Sequence, residues 1–389
     1  MLGLALEGGG AKGAYHVGAI KAFLENGYKF DAVTGASIGA INGALLAQGD
    51  FNVCLDFWEK IKFSMLFDFS DEHALHIALG EFKKDTMRYF FTKLRETIVN
   101  KGLDTTRYKE FLKKYIDEDK IRKSSIDLGI MTYSLSTLRP MPMFTEDIPK
   151  GKMFDYLVAS ANFPGFKRHQ IDGKTYVDGG VYDNLPINML INKGFTDIIA
   201  VHTLADAPKR KPKSKDINLR RLIPSEKPGR LLDFNNYSVS HSIDIGYYDG
   251  LRMVKGYKGV LYYFTDINYE ILNKKLLQLP MEFYTEMCAE LGIKEHEMKV
   301  LSMVDIVNDL AKKMDIKKFY HIAEVYIALV ERVATINGVS RLCLINNLEE
   351  LIKRTKENLI KNSENMEIKV EKKDEKIIRA FNVLSKYFI

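Results

Sequence analysis

The pattern of hydrophobic and polar positions predicts alternating strands and helices at the start of the chain. Residues 2–7 form a short apolar run, and a second strand-like run covers residues 30–34. Residues 38–46 have the pattern of a helix that begins where this second strand ends. Between the two strands, apolar side chains recur at the spacing of one helical face, at Ala14, Val17, Ile20, Phe23 and Leu24. This order is typical of a parallel sheet covered by helices.

The rest of the chain extends this pattern and then changes character. Further strand-like runs lie at 126–133, 138–144, 173–177, 197–202 and 259–264, and helical patterns lie at 51–120 and 186–193. Beyond about residue 270 the pattern is helical to the end. We therefore predict an α/β domain with a mainly parallel sheet over residues 1–270, and a mostly helical region over residues 271–389.

The composition is that of a globular protein, since 46% of the 389 residues are hydrophobic and 28% are charged. Cys54, Cys288 and Cys343 are far apart and form no C-x-x-C pair, so we expect neither a disulfide framework nor a metal site. The first apolar run is too short for a secretory signal, and no run approaches the ~18 apolar residues of a membrane span. We therefore expect a cytoplasmic protein with no signal peptide or transmembrane segment.

Positive charge is concentrated in one segment. Residues 209–230 contain nine basic and two acidic residues, a local charge of +7 in a chain of net charge +6. Prolines interrupt this stretch, so we expect an exposed loop at 208–230 with no regular element. The segment is either a solvated connector or a surface that attracts anions. No base-reading motif accompanies it, so we expect an anionic membrane as the peripheral partner and no nucleic acid.

Two glycine motifs lie at the ends of the first two predicted strands. The glycine loop (residues 8–13, GGGAKG) follows the first strand and has glycines at positions 8, 10 and 13. The second motif, G-x-S-x-G, places Ser37 between the second strand and the following helix. A serine on such a sharp turn exposes its hydroxyl, and the N-terminus of the helix favours a developing anion. The position of the motif therefore indicates a nucleophile.

A nucleophilic serine needs a base, and the sequence offers a carboxylate more readily than a histidine. Asp178 ends a strand-like run and is followed by two glycines that allow close approach of backbone or substrate. An Asp-Gly turn is the simpler alternative for this position. None of the eight histidines lies in a motif that marks a catalytic base: His16, His73, His76, His169, His202, His241, His296 and His321.

The motifs GGGAKG, GASIG and DGG, in this order, resemble those of the patatin-like phospholipase family. ASANFPGF (159–166) and DNLP (183–186) are similar to two further family segments, and all these motifs lie within residues 3–205. The resemblance implies a three-layer α/β/α fold and a Ser-Asp dyad without histidine. In that dyad Ser37 is the nucleophile and Asp178 is the base.

The resemblance also implies the surroundings of the dyad. Backbone N–H groups of Gly8, Gly9 and Gly10 would form the oxyanion hole. The supporting residues would be Lys12, Gly13, Gly35, Gly39, Gly179 and Gly180. The implied reaction is hydrolysis of a lipid acyl ester, from a phospholipid or a related lipid, through an acyl-enzyme and without a metal or cofactor. Acyl transfer to another alcohol uses the same acyl-enzyme and stays open.

Three other classes fit the sequence less well. A dinucleotide site would use the glycine spacing together with Asp31, but it has no use for the serine motif that follows. An α/β-hydrolase with a Ser-His-Asp triad usually has more strands before its nucleophile. An inactive lipid-binding scaffold has no supporting feature, because Ser37 and Asp178 are both present. The sequence predicts no oligomeric state.

Overall fold

The computed structural model describes residues 1–62, 64, 104–365 and 371–389. These residues form two compact units, Met1–Val254 and Lys255–Ile389. The helical prediction for residues 51–120 is matched at its ends by helices at Phe51–Lys60, Thr106–Lys113 and Glu118–Lys123. The middle of that stretch, with His73 and His76, lies outside the described residues.

The first unit contains an eight-stranded sheet. Its strands are β1 (Leu2–Leu6), β2 (Ala32–Ala36), β3 (Asp127–Ser134), β4 (Arg139–Phe144), β5 (His169–Ile171), β6 (Lys174–Asp178), β7 (Asp197–Val201) and β8 (Asn218–Leu222). The order is β5-β6-β3-β2-β1-β7-β8, and β4 pairs with β3. The pairings of β1 with β2 and β7, of β2 with β3 and of β7 with β8 are parallel. The mainly parallel sheet is confirmed.

Helices cover both faces of this sheet. They are α1 (Ala14–Glu25), α2 (Ile38–Ala47), α3 (Phe51–Lys60), α4 (Thr106–Lys113), α5 (Glu118–Lys123), α6 (Met153–Ser160), α7 (Ile187–Asn192) and α8 (Asn236–Lys255). Successive residues of β2 point to opposite sides. Val33 lies against Gly43 of α2, and the Thr34 hydroxyl donates to the carbonyl of Pro186 just before α7, at 3.1 Å. The three-layer α/β/α arrangement is therefore confirmed.

The basic segment contains a strand that the sequence does not predict. β8 pairs in parallel with the whole length of β7, so the expectation of a loop without regular structure is wrong at Asn218–Leu222. The stretch between Pro212 and Pro224 is free of proline. It can therefore supply backbone hydrogen bonds as an edge strand, where only one side of the strand needs a partner.

The second unit is mostly helical, as predicted for the end of the chain. Its elements are β9 (Tyr263–Phe264), α9 (Tyr269–Gln278), α10 (Met281–Leu291), α11 (Lys299–Lys313), α12 (Ile322–Ile336), β10 (Leu344–Ile345), α13 (Leu348–Asn365) and α14 (Lys372–Phe388). These elements enclose a hydrophobic core of their own, with Phe283, Tyr326 and Phe381 among its largest buried side chains. Among the residues that the structure describes, no helix combines the length and apolar character needed to cross a bilayer.

The strand predicted at residues 259–264 is only two residues long in the structure. The carboxylate of Glu331 accepts hydrogen bonds from the N–H groups of Val260, Leu261 and Tyr262, at 2.9 to 3.1 Å. A buried side chain thus takes the donors that a neighbouring strand would otherwise need. The apolar pattern that predicted a longer strand could not reveal this competing acceptor.

Candidate active site

Ser37 lies on a sharp turn between β2 and α2. Its backbone has φ 54° and ψ −129°, a conformation that is uncommon for a residue with a side chain. A Cβ at Gly35 would lie 2.2 Å from the carbonyl carbon of Gly39, and one at Gly39 would lie 2.4 Å from the carbonyl oxygen of Leu6. Only glycine allows the strand and the helix to approach this closely. The two motif glycines thus make the turn that presents Ser37.

The strand register brings Ser37 and Asp178 to the same level of the sheet. Ala36, the last residue of β2, lies opposite Met131 of β3. The next residue of β3, Thr132, lies opposite Asp178 at the end of β6. Ser37, which follows Ala36, is therefore level with Asp178, with β3 between their two strands, although 141 positions separate them in the chain. The Ser37 side chain interacts with the Asp178 carboxylate.

Asp178 is a buried carboxylate with an altered pKa. Burial raises its pKa to about 6, although hydrogen bonds from the Ser37 side chain and from the N–H of Gly180 act in the opposite direction. The Gly180 N–H lies 2.7 Å from Oδ1. A Cβ at Gly179 would lie 2.1 Å from the Met131 carbonyl oxygen, so the close approach after Asp178 also requires glycine. The carboxylate is held in a fixed position and is a stronger base than an exposed aspartate.

The hydroxyl of Ser160 links the turn at Ser37 to β3. Its hydroxyl accepts a hydrogen bond from the backbone N–H of Ser37 at 3.0 Å and donates to the carbonyl of Met131 at 2.7 Å. Ser160 is fully buried at the end of α6. It belongs to the segment 159–166 that the resemblance singles out, but no sequence pattern predicts a hydrogen-bonding role for this serine.

The glycine loop follows β1 on the neighbouring strand. The N–H of Gly8 donates to the carbonyl of Asn184 at 2.9 Å, so this predicted oxyanion donor already has an acceptor. The carbonyl of Gly8 accepts from the Thr203 hydroxyl at 2.7 Å and from the Asn184 side chain at 3.2 Å. In the described part of the chain, the N–H groups of Gly9 and Gly10 have no such acceptor. Of the three predicted oxyanion donors, these two N–H groups therefore remain available to bind an oxyanion.

Gly10 lies where the chain segment before α8 crosses the glycine loop. Its φ is +57°, and a Cβ there would lie 2.2 Å from the carbonyl oxygen of Leu231. The same carbonyl accepts a hydrogen bond from the N–H of Ala11 at 2.8 Å. Both the backbone conformation and the close contact therefore require glycine at this position.

Lys12 and Gly13 fix the far end of the glycine loop. The ammonium group of Lys12 donates to the carbonyl of Leu204 at 3.0 Å, and burial lowers its pKa. A Cβ at Gly13 would lie 2.6 Å from Cγ1 of Ile38, the first residue of α2. The loop is thus packed against the helix that begins after Ser37.

The described histidines have other partners. None of them forms a hydrogen bond with Ser37 or Asp178 in the part of the chain that the structure covers. Their contacts are His16 with Asn42, His169 with Asp155, His202 with Glu7, His241 with Glu226, His296 with Asp305, and His321 with Asn273. Asp31, the acidic residue of the dinucleotide alternative, accepts the Leu2 N–H at 2.7 Å. The described residues therefore support neither a histidine base nor a dinucleotide site.

A cavity of about 370 Å³ lies beside Asp178. The carbonyl of Asn162, a lining residue, accepts the backbone N–H of Asp178 at 2.9 Å. Most of the lining is apolar or aromatic, and the principal contributors are Tyr133, Leu135, Phe163, Phe166, Val177 and Val181. Arg168 provides a cation in the lining. Such a cavity suits an apolar chain better than a nucleotide.

The sequence missed Glu7 and Asn184. Glu7 is fully buried, and its carboxylate accepts the Thr203 N–H at 2.7 Å. Asn184 bonds both sides of the Gly8 peptide. In the sequence, Glu7 is an acidic residue at the end of an apolar strand, and Asn184 is the asparagine of DNLP. Neither pattern predicts a contact with Thr203, because Thr203 lies about two hundred positions from the glycine loop.

Comparison with known proteins places this site in a family. The family model of patatin-like phospholipases matches residues 4–191. These residues include β1, the glycine loop, Ser37 and Asp178. A solved structure, VipD from Legionella pneumophila, has 14% sequence identity and a TM-score of 0.42, with coverage of 97% of this chain and 90% of that chain.

Two curated relatives align with one half of the chain. Lysophospholipase NTE1 of Scheffersomyces stipitis is 27% identical over 209 residues, which are 51% of this chain and 11% of that protein. Neuropathy target esterase sws of Drosophila melanogaster is 30% identical over 205 residues, 51% of this chain and 13% of that protein. The chain thus matches only a small part of each relative. Residues 4–191, just under half of the chain, form a patatin-like phospholipase domain.

Proposed function

We propose that this protein hydrolyses acyl esters of phospholipids or related lipids with a Ser37–Asp178 dyad. The observation that carries the proposal is the interaction of the Ser37 side chain with a buried carboxylate that lies level with it in the sheet and whose pKa is raised to about 6. An ordinary aspartate, with a pKa of about 4, is a weak base at neutral pH. Burial brings Asp178 closer to the working pH while leaving most of it ionised at pH 7.

The first half of the reaction forms an acyl-enzyme. Asp178 accepts the hydroxyl proton of Ser37 as the oxygen attacks the ester carbonyl. The negative charge that develops on the carbonyl oxygen is stabilised by the N–H groups of Gly9 and Gly10, because the Gly8 N–H is bonded to Asn184. The tetrahedral intermediate collapses, and the leaving alcohol takes the proton from Asp178.

The second half releases the fatty acid. A water molecule gives a proton to Asp178 and attacks the acyl carbonyl, and the proton then returns to the Ser37 oxygen as the ester bond to the enzyme breaks. An alcohol that replaces water would yield a transferred acyl group from the same intermediate. The assay should therefore measure both free fatty acid and newly esterified product.

The cavity beside Asp178 supports a lipid as the substrate. Its apolar lining would hold the acyl chain, and its position next to the Asp178 backbone would place the ester near Ser37. Two relatives carry the names lysophospholipase and esterase, which agree with an acyl ester as the bond cleaved.

We further propose that the enzyme meets its substrate on an anionic membrane. Leu204, Leu231 and Leu232 are exposed leucines that we call the leucine rim. The carbonyl of Leu204 bonds Lys12, and that of Leu231 bonds Ala11, so the rim borders the glycine loop. The basic segment supplies exposed cations next to it, among them Lys227 and Arg230. Apolar side chains flanked by cations favour the headgroup region of an anionic bilayer.

Replacement of the dyad tests the catalytic proposal. We expect Ser37→Ala to abolish hydrolysis of p-nitrophenyl butyrate, and Asp178→Asn to reduce kcat/KM by about 10²- to 10⁴-fold, the usual effect of losing a general base. Ser240→Ala and Asp172→Asn are matched controls, because both positions are exposed. Thermal unfolding would verify that each variant is folded.

The result separates this mechanism from its rivals. Substantial activity in folded Ser37→Ala would exclude Ser37 as nucleophile. Full activity in Asp178→Asn would indicate a different base. Fatty acid release from phospholipids, lysophospholipids and triacylglycerol, with Ser37→Ala as the blank, would identify the preferred ester.

A further inference from the structure

Glu7 is a buried charge immediately before the glycine loop. Its carboxylate is fully buried, with Oε1 2.7 Å from the Lys209 ammonium and Oε2 2.7 Å from the Thr203 N–H. Nδ1 of His202 lies 3.5 Å from Oε2. Burial alone would raise the pKa of Glu7, but hydrogen bonds with His202, Lys209 and Thr203 lower it to about 2. Glu7 is therefore an anion at every pH at which the enzyme could work.

The partners of this carboxylate bond both the N–H and the carbonyl of Gly8. Thr203, whose N–H bonds Glu7, donates its hydroxyl to the Gly8 carbonyl at 2.7 Å. The Asn184 side chain donates to the same carbonyl at 3.2 Å and lies 3.5 Å from Oε1 of Glu7. The Asn184 carbonyl accepts the Gly8 N–H at 2.9 Å. The buried Glu7 carboxylate thus holds Thr203 and Asn184 in place. These two residues in turn hold Gly8, which precedes Gly9 and Gly10.

We propose that Glu7 is a positioning residue that holds the glycine loop, through Thr203 and Asn184, in the orientation that directs the Gly9 and Gly10 N–H groups at the oxyanion. This inference rests on the proposed function, since it assigns a reaction role to those donors. A buried carboxylate destabilises a fold unless its partners compensate it. In this site the compensation comes from groups that also contact the loop.

The electrostatic surroundings of Glu7 contain other titratable groups. Lys209 and His202 contact it directly, and Lys12 and His16 interact with it at longer range. Burial lowers the pKa of His16 to about 3, so that imidazole is neutral at working pH. Neutralising Glu7 would therefore leave Lys209 with the Ala205 carbonyl but without a carboxylate partner, and it would weaken the acceptor of the Thr203 N–H.

The test removes each link while keeping the shape of the side chain. Glu7→Gln removes the charge, Thr203→Val removes the hydroxyl, and Thr203→Ser retains it. Asp206→Asn is the control, because Asp206 is an exposed carboxylate in the connection that follows β7. The measurements are kcat and KM for p-nitrophenyl butyrate, the inhibition constant of an alkyl trifluoromethyl ketone, and the unfolding temperature. The ketone forms a tetrahedral oxyanion on a serine nucleophile and thus reports on the donors.

We expect Glu7→Gln and Thr203→Val each to lower kcat by about 10- to 100-fold, below the 10²- to 10³-fold seen when a donor itself is removed. KM should change little, and the inhibition constant of the ketone should rise in parallel with the loss of kcat. Thr203→Ser and Asp206→Asn should retain activity. The double variant should lose little more than the single ones, because both changes break the same chain of contacts.

A folded Glu7→Gln variant with unchanged kcat would overturn the inference, as would a loss confined to KM. If Glu7→Gln does not fold, Thr203→Val decides, and unchanged ketone inhibition in that variant would count against the positioning role. Activity that survives in Ser37→Ala would instead refute the proposed function itself. The two failures are thus distinguishable.

Discussion

At the scale of single residues, the charge on Asp178 would determine when the proposed Ser37–Asp178 dyad can work. The carboxylate must be ionised to accept the Ser37 proton, and burial has moved its pKa to about 6. The same burial makes the ionised form less stable in the folded state than in the unfolded chain. Activity and stability therefore depend on pH in opposite directions at this residue.

We expect kcat/KM for p-nitrophenyl butyrate to rise with pH around a midpoint near 6 and to level off above about pH 7, because only ionised Asp178 is a base. The control is the spontaneous hydrolysis rate, measured without enzyme at each pH. A profile with no inflection between about pH 5 and pH 7 would contradict the assignment.

The raised pKa of Asp178 also leads to an expectation about the stability of the fold. The folded-state pKa exceeds that of an unfolded aspartate, so folding takes up a proton between about pH 4 and pH 6 and stability falls as the pH rises through that window. Asp178→Asn should therefore be more stable than the parent by about 2–3 kcal/mol at pH 8, with the difference shrinking towards pH 4. Urea unfolding at both pH values would measure it.

Ser37 and Asp178 could be found from the sequence because each lies in a local motif at the end of a predicted strand. Glu7 and Asn184 could not be assigned in this way. Their roles depend on Thr203 and Lys209, which are distant in the chain and meet the glycine loop only because β1 pairs with β7. Local patterns identify reactive side chains more readily than the groups that hold them.

At the scale of elements, the contact between β2 and α2 produces the turn that carries Ser37. Gly35 faces the backbone of Gly39, and neither has a flexible side chain that could move aside. The sequence predicted this strand and helix correctly, because both have clear apolar periodicity. It did not predict β8, since the many charges of the basic segment obscure the pattern of an edge strand.

Gly35→Ala tests this contact. Its Cβ would lie 2.2 Å from the Gly39 backbone, so we expect a loss of about 1–3 kcal/mol in the free energy of unfolding, together with most activity. The control is Gly43→Ala in the same helix, where the Cβ would meet only side-chain atoms at 3.2 Å or more. That change should be tolerated, because alanine is the better helix former. Equal stability of the two variants in urea would contradict the steric account.

At the scale of the whole molecule, the distribution of charge matters more than its total. The basic segment carries more positive charge than the chain as a whole, so the remainder is close to neutral. This segment begins with Lys209 on Glu7 and ends next to the leucine rim. The sequence alone reveals where the positive charge lies. The structure is needed to show that the leucine rim lies next to the glycine loop.

We expect the protein to sediment with phosphatidylserine-containing vesicles at low salt, and less at high salt, because screening weakens the attraction of the basic segment. Binding to phosphatidylcholine vesicles should be weak. Lys227→Gln with Arg230→Gln should weaken partitioning by about 30-fold, since each cation near the surface contributes about 1 kcal/mol. Leu232→Ser should weaken it further, whereas Leu277→Ser, an exposed leucine of the second unit, is the control.

Equal binding of the parent and the charge variant to anionic vesicles would refute the membrane proposal. Binding to short DNA duplexes with no binding to vesicles would do the same and would assign the basic segment to nucleic acid.

The central place of β1 in the sheet has a consequence for the order in which the enzyme matures. β1 precedes the other strands of this sheet in the chain, but one of its two neighbours, β7, is synthesised only after Ser37 and Asp178. Thr203, whose hydroxyl bonds the Gly8 carbonyl, emerges later still. A nascent chain therefore contains both residues of the proposed dyad before the glycine loop can be held in place, so the proposed hydrolysis could begin only after most of the first unit has left the ribosome.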